Sequence, residues 1–186
     1  MAYAEEQHAG QLRKADGAPF IAHPIEVASL LYRAGATDDV IAAGVLHDTI
    51  EKTATEPSEL RRRFGLRTAA IVAAVTEDEH ISGYATRKAA LRRQAEAAGS
   101  EALMVFAADK ISKVRELRLE RRRRARLSGS SGSRFAPERR LAHYRRCCLM
   151  LEERLPGSPL VEKLRTELRR LDRVGVGHAV TAGAGR

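Results

Sequence analysis

Apolar residues recur at three- and four-residue spacing along most of the chain, and helix formers (Ala, Leu, Arg, Glu) fill the positions between them. β-Branched and aromatic residues do not alternate over useful lengths. Aromatics make up only 4% of the chain, so strand signals are nearly absent. The pattern predicts helices at roughly 2–11, 23–35, 37–51, 56–63, 66–78, 83–98, 100–126, 137–154 and 157–172. Punctuation supports the breaks. Asp16-Gly17-Ala18-Pro19 reads as a turn, Gly35 ends a helix, Thr37-Asp38-Asp39 offers an N-cap, and Glu56-Pro57 and Leu155-Pro156-Gly157-Ser158-Pro159 are connections. Tyr32, Phe64 and Phe106 fall at core-like positions.

The polar, low-complexity run Ser128–Ser133 predicts a flexible loop over 128–136. Only two helices follow it, too few to build a second core, so the expectation is one all-α domain of about nine helices over residues 1–172. Residues 173–186 turn to Gly, Ala, Val and Thr without period and are expected to be a disordered tail.

A length of 186 residues suffices for one sizeable core, and 44% hydrophobic with 31% charged residues is the balance of a soluble globular protein. No apolar run approaches the ~20 residues of a membrane span, and the N-terminus lacks the layout of a secretory signal. Adjacent Cys147 and Cys148 suit neither a structural disulfide nor a zinc site. A cytoplasmic protein with no membrane partner is expected, and a homo-oligomer is left open.

Charge is informative once located. Residues 113–146 hold 13 Lys/Arg against 3 Asp/Glu, whereas the whole chain is only +9, so the excess is one patch. Nucleic acid, a membrane surface, an anionic small substrate or a solvated helix face would each account for it. The run Arg121-Arg122-Arg123-Arg124-Ala125-Arg126 has no interleaved aromatics to stack bases, which argues against nucleic acid.

The chemistry concentrates in Ala42-Ala43-Gly44-Val45-Leu46-His47-Asp48-Thr49-Ile50-Glu51. An apolar run there delivers an imidazole and a carboxylate side by side, and helical spacing puts Glu51 over His47. Burying such groups is costly unless a cation or another partner satisfies them. With His23 and Asp109, the pair reads as the ligand set of one metal ion.

Arg13-Lys14, Pro19-Phe20-Ile21-Ala22-His23-Pro24, His47-Asp48-Thr49-Ile50-Glu51, and Ala108-Asp109-Lys110 with Val114-Arg115-Glu116-Leu117 occur in that order. This series resembles the HD-domain hydrolases, specifically the hydrolase half of the bifunctional alarmone enzymes and the small free-standing alarmone hydrolases. Phe64-Gly65, Val75-Thr76-Glu77-Asp78, Arg87-Lys88 and Ala136-Pro137-Glu138-Arg139-Arg140 with Tyr144 extend the likeness over about residues 3–170.

The resemblance implies an HD fold in which His23, His47, Asp48 and Asp109 hold one divalent ion, usually manganese. It implies Glu51 and its neighbour Lys52 at the catalytic position, and Arg13, Lys14 and Lys113 beside a phosphorylated guanosine nucleotide. The reaction implied is removal of the 3′-pyrophosphate from guanosine tetra- or pentaphosphate. Two positions depart from the family pattern: Lys52 stands where an aspartate is usual, and Lys113 where an asparagine is usual. Three outcomes stay open: the alarmone reaction, an HD phosphohydrolase acting on another nucleotide or nucleotide cofactor, and a nucleotide-binding sensor with weak turnover.

Overall fold

Between Ala102 and Ala108 every side chain is apolar, and this stretch leads into the buried middle of a 28-residue helix around which the chain is wound. A computed structural model describes residues 1–127 and 138–174. Their nine helices are α1 (Ala2–Gln7), α2 (Ala22–Arg33), α3 (Asp38–Leu46), α4 (Thr49–Lys52), α5 (Pro57–Val75), α6 (Tyr84–Ala97), α7 (Ser100–Leu127), α8 (Glu138–Arg154) and α9 (Pro159–Arg173). Leu12 and Pro19 form an isolated bridge, and no strand occurs among the described residues.

Helix α7 packs against α2, α3, α5, α6, α8 and α9. Phe106, Ile111, Val114 and Leu117 are its innermost side chains, joined by Leu31, Leu60, Leu151, Leu160, Leu164 and Leu171 in one core. A helix apolar on all sides is a buried one; α7 meets that condition over Ala102–Ala108, and from Asp109 onward Ser112, Lys113 and Glu116 continue a polar face beside its buried apolar positions. Beyond Leu119 it runs into solvent as Arg122, Arg123, Arg124 and Arg126.

The all-α expectation holds, with four local differences. The first helix stops at Gln7, not residue 11. The helix expected over 37–51 is two, α3 and α4, broken at His47-Asp48. The helices expected at 56–63 and 66–78 are a single α5, kinked where a break was expected, at Gly65 (φ 85°, ψ 166°). Tyr32 is 74% exposed, because Val27, Leu30 and Leu31 already form the inward stripe of α2 and Tyr32 falls beside it. The loop expected over 128–136 lies outside the described residues. So does the tail expected over 173–186, except Arg173, which closes α9, and Val174. No helix among the described residues is long and apolar enough to cross a membrane.

Gly65 has open space where a Cβ would stand, so its requirement for glycine is purely conformational. Gly65→Ala is therefore expected to lower stability by about 1–3 kcal/mol in urea denaturation. In a regular helix the same change would stabilise by up to about 1 kcal/mol, so a gain would rule out the kink as a backbone requirement.

Candidate metal centre

Three parts of the fold deliver the four residues. His23 sits in the first turn of α2, its amide bonded to the Phe20 carbonyl of the preceding turn (2.9 Å). Asp109 projects from the buried middle of α7, followed on the same face by Ser112, Lys113 and Glu116 at three- to four-residue spacing. His47 and Asp48 occupy the break between α3 and α4, which is made by side chains. His47 Nδ1 donates to the Gly44 carbonyl (2.8 Å) and Thr49 Oγ1 to the Leu46 carbonyl (2.7 Å), taking acceptors that the helix would otherwise use. Gly44 itself packs so closely on α2 that a Cβ would stand 2.4 Å from Leu31 Cδ1.

His23 Nε2 lies 3.1 Å from His47 Nε2, 3.5 Å from Asp48 Oδ2 and 3.2 Å from Asp109 Oδ1. His47 Nε2 lies 3.6 Å from each of the same two oxygens. Donor atoms sharing one ion at about 2.1 Å stand roughly 3.0–3.4 Å apart, depending on geometry. All four residues are buried, and His23, His47 and Asp109 each offer an atom to a common point.

The hydrogen-bond network fixes which nitrogens carry protons. Ser112 Oγ donates to Glu26 Oε2 (2.6 Å), so it accepts from His23 Nδ1 (2.8 Å). His47 Nδ1 is likewise spent on a carbonyl. Both Nε2 atoms thus present lone pairs to the centre, where Asp48 Oδ2 and Asp109 Oδ1 are buried without a hydrogen-bond partner. Four acceptors face one another, an arrangement that a divalent cation satisfies. The electrostatics agree. Burial opposes charge on both carboxyls, yet the surrounding His and Lys groups hold Asp48 and Asp109 well below the usual range. Burial and the Lys113 charge depress His23 to about 4, keeping it neutral. Burial pulls His47 down too, but Asp48 and Asp109 outweigh it and raise its affinity for a proton.

Two lysines bear on Asp48. Lys113 Nζ is 3.6 Å from Oδ2 and Lys52 Nζ is 3.8 Å from Oδ1, and both ammonium groups lie over the Phe20 ring at 5.7 and 5.8 Å. The expected stacking of Glu51 on His47 does not form, because the helix ends between them. Glu51 pairs instead with Lys52 (3.2 Å), and the i,i+4 contact that does form is Asp48–Lys52. Asp109 has a second duty. Its Oδ2 accepts from buried Lys110 (2.5 Å), whose ammonium lies 4.2 Å from the Phe106 ring centroid.

Two cavities adjoin the centre and share Lys113 and Arg140. The outer one, about 660 Å³, contains the predicted Arg13, Lys14, Lys52 and Lys113 beside Phe20. Arg13 is held there by both oxygens of Asp16, while Lys14 is exposed. The inner one, about 180 Å³, is lined by Glu51, Asp109, Lys88, Lys110, Arg140 and Tyr144, among others. Lys110, Arg140 and Tyr144 had no site role in the sequence. They lie on α7 and α8, and only the tertiary fold brings them to Glu51. His143, one helix turn from Cys147, also reaches this cavity. Burial and the charges of Lys110 and Lys88 keep it neutral, with a pKa of about 2.

The chain is similar to known proteins along most of its length. It matches the HD domain family model over residues 1–139. The guanosine-3′,5′-bis(diphosphate) 3′-pyrophosphohydrolase MESH1 of Danio rerio is 39% identical over 118 residues, which is 62% of this chain and 65% of that protein. MESH1 of Homo sapiens is 38% identical over the same shares. The match thus spans just under two thirds of the length of these curated relatives. Among solved structures, a metazoan ortholog of SpoT that hydrolyses ppGpp aligns with a TM-score of 0.72 at 26% identity, covering 91% of each chain. A protein of Listeria monocytogenes EGD-e aligns at 0.68 and 26% identity, covering 84% of this chain and 98% of that one.

The ammonium of Lys113 beside a donor oxygen repels an incoming dication. Lys113→Asn is expected to tighten binding of a divalent ion by about tenfold, or ~1.4 kcal/mol, in calorimetric titration of chelator-stripped protein with manganese. Unchanged or weaker binding would show that Lys113 does not oppose the metal.

Proposed function

The chain belongs to the HD-domain family, and from that membership we propose that it is a metal-dependent phosphohydrolase removing the 3′-pyrophosphate from guanosine tetra- or pentaphosphate. The observation that carries the reading is the meeting of two imidazole lone pairs and two unpartnered carboxylate oxygens between two cation-lined cavities. His23, His47, Asp48 and Asp109 would hold the ion. Two nitrogens and two oxygens suit a borderline first-row metal, for which we favour manganese. Bound there, a divalent ion supplies Lewis acidity that lowers the pKa of water and polarises a phosphoryl oxygen.

The protein's own groups divide the remaining work. The outer cleft, within the usual size of a small-molecule site, takes the guanosine and its 5′-phosphates, with the Arg13 guanidinium placed to stack on a base and Lys14 and Lys113 to meet phosphate oxygens. The inner cavity takes the departing pyrophosphate, and Lys88, Lys110 and Arg140 offset its charge. Glu51, on the wall of that cavity, accepts the proton of the attacking water. The relatives whose names state this activity, and the likeness to a structure described as hydrolysing ppGpp, support the same reaction. Cys147 and Cys148 are free thiols, in keeping with a cytoplasmic setting.

A second reading has its own support. Lys52 ties up both Glu51 and Asp48, so the carboxylate that should accept a proton is already paired with a cation. This arrangement favours nucleotide binding with slow turnover.

The test is hydrolysis of guanosine tetraphosphate with manganese beside a chelated control, products being separated by ion exchange. Metal-dependent release of pyrophosphate and GDP is expected, and absence of product would reject the alarmone-hydrolase reading in favour of a sensor or a hydrolase of another nucleotide. Glu51→Gln should cut kcat by about a hundredfold or more with metal binding retained. Lys52→Asp separates the two readings: a faster reaction means that the Lys52 pairing limits turnover, and an unchanged rate removes that objection.

A further inference from the structure

Nine residues beyond Asp109, on the opposite face of α7, the basic run that the metal centre leaves unused borders a separate concavity. At about 100° per residue, Arg118 points some 180° away from Asp109. Arg118, Arg122 and Arg126 then follow one another at four-residue spacing along one face. With Arg170 and Arg173 at the end of α9 they line a groove of about 700 Å³, together with Ala125 and Val174. None of these residues borders the cavities beside the metal centre.

The groove is strongly undercompensated. Glu167, 2% exposed, lies beneath it; its Oε1 accepts from Arg170 (3.1 Å) and Arg115 (3.2 Å) and its Oε2 faces Arg118 in an ion pair (2.9 Å), so one carboxylate serves three guanidinium groups. Arg118 Nε is buried with no partner. Arg122, Arg126 and Arg173 are exposed and face no acidic side chain among the described residues. The sequence segments that continue from the two walls, 128–137 and 175–186, contain neither Asp nor Glu.

We propose that this groove is a binding site for a small oligophosphate, an anion with two or more linked phosphates. Guanidinium forks match phosphate oxygens in pairs. Five of them against one buried carboxylate call for more charge than a single phosphate group, at most about −2, can bring. The lining holds no aromatic ring and only two small apolar residues, so nothing there stacks a base. The recognised feature is therefore the phosphate chain.

The experiment is calorimetric titration of the full chain with sodium tripolyphosphate at about 0.15 M salt, alongside R122E/R173E and R13E/K14E. The expected result is a binding component weakened at least tenfold in R122E/R173E and retained in R13E/K14E, whose changes lie in the outer cleft. Arg122 and Arg173 are exposed and unpaired, so the core is untouched, and thermal melts confirm the fold of each variant. Absence of tripolyphosphate binding, or binding indifferent to R122E/R173E, overturns the proposal. Tighter binding of a short single-stranded RNA through the same arginines also overturns it, because the groove would then be a nucleic-acid contact. Hydrolysis does not enter the readout, so the outcome is independent of the reaction proposed above.

Discussion

Two imidazole nitrogens 3.1 Å apart and two carboxylate oxygens, each within 3.6 Å of both nitrogens, are brought together from α2, the α3–α4 break and α7 and repel until positive charge joins them. Much of the surrounding structure answers to that constraint. The Glu26–Ser112 relay and the Gly44 carbonyl hold the protons on the outer nitrogens of the rings, so that the inner ones remain donors. Lys110, Lys113 and Lys52 supply peripheral charge, each on a carboxylate that also borders the centre. The buried middle of α7 gives Asp109 a rigid mounting, because a helix gripped by six others has no room to turn the side chain away.

The sequence exposed much of this, though unevenly. Three- and four-residue spacing was enough for the all-helical fold, and the Phe64-Gly65 step was readable as an interruption because glycine alone tolerates that backbone. The His47-Asp48 pair stood out because charged groups ended an apolar run. The break at that pair left no such mark. No glycine or proline ends α3. Its carbonyls are taken by the side chains of His47 and Thr49, and ordinary helical spacing hides that competition. Lys88, Arg140 and Tyr144 were similarly silent as site residues, because a lysine or arginine on an amphipathic helix reads as solvated until the fold shows what lies opposite.

Positive charge in this protein is divided by residue type. The metal centre is ringed mainly by lysines, compact point charges on flexible stems that can follow a substrate. The distal groove is lined by arginines whose planar forks are partly fixed by Glu167. One helix carries part of both sets on opposite faces, so the single basic patch of the sequence is two surfaces in space.

Asp109 is bonded to Lys110 on one oxygen and turns the other to the metal centre. Its loss would strand a buried ammonium as well as remove a donor, and an unpaired buried charge is among the costlier defects a core can carry. Folding alone therefore favours an aspartate at this position, whatever chemistry the site performs. A variant with an inert site could lose the partly exposed Glu51 at little cost to folding, yet would still need Asp109. The presence of this one aspartate is thus a poor guide to whether a related chain is catalytically competent.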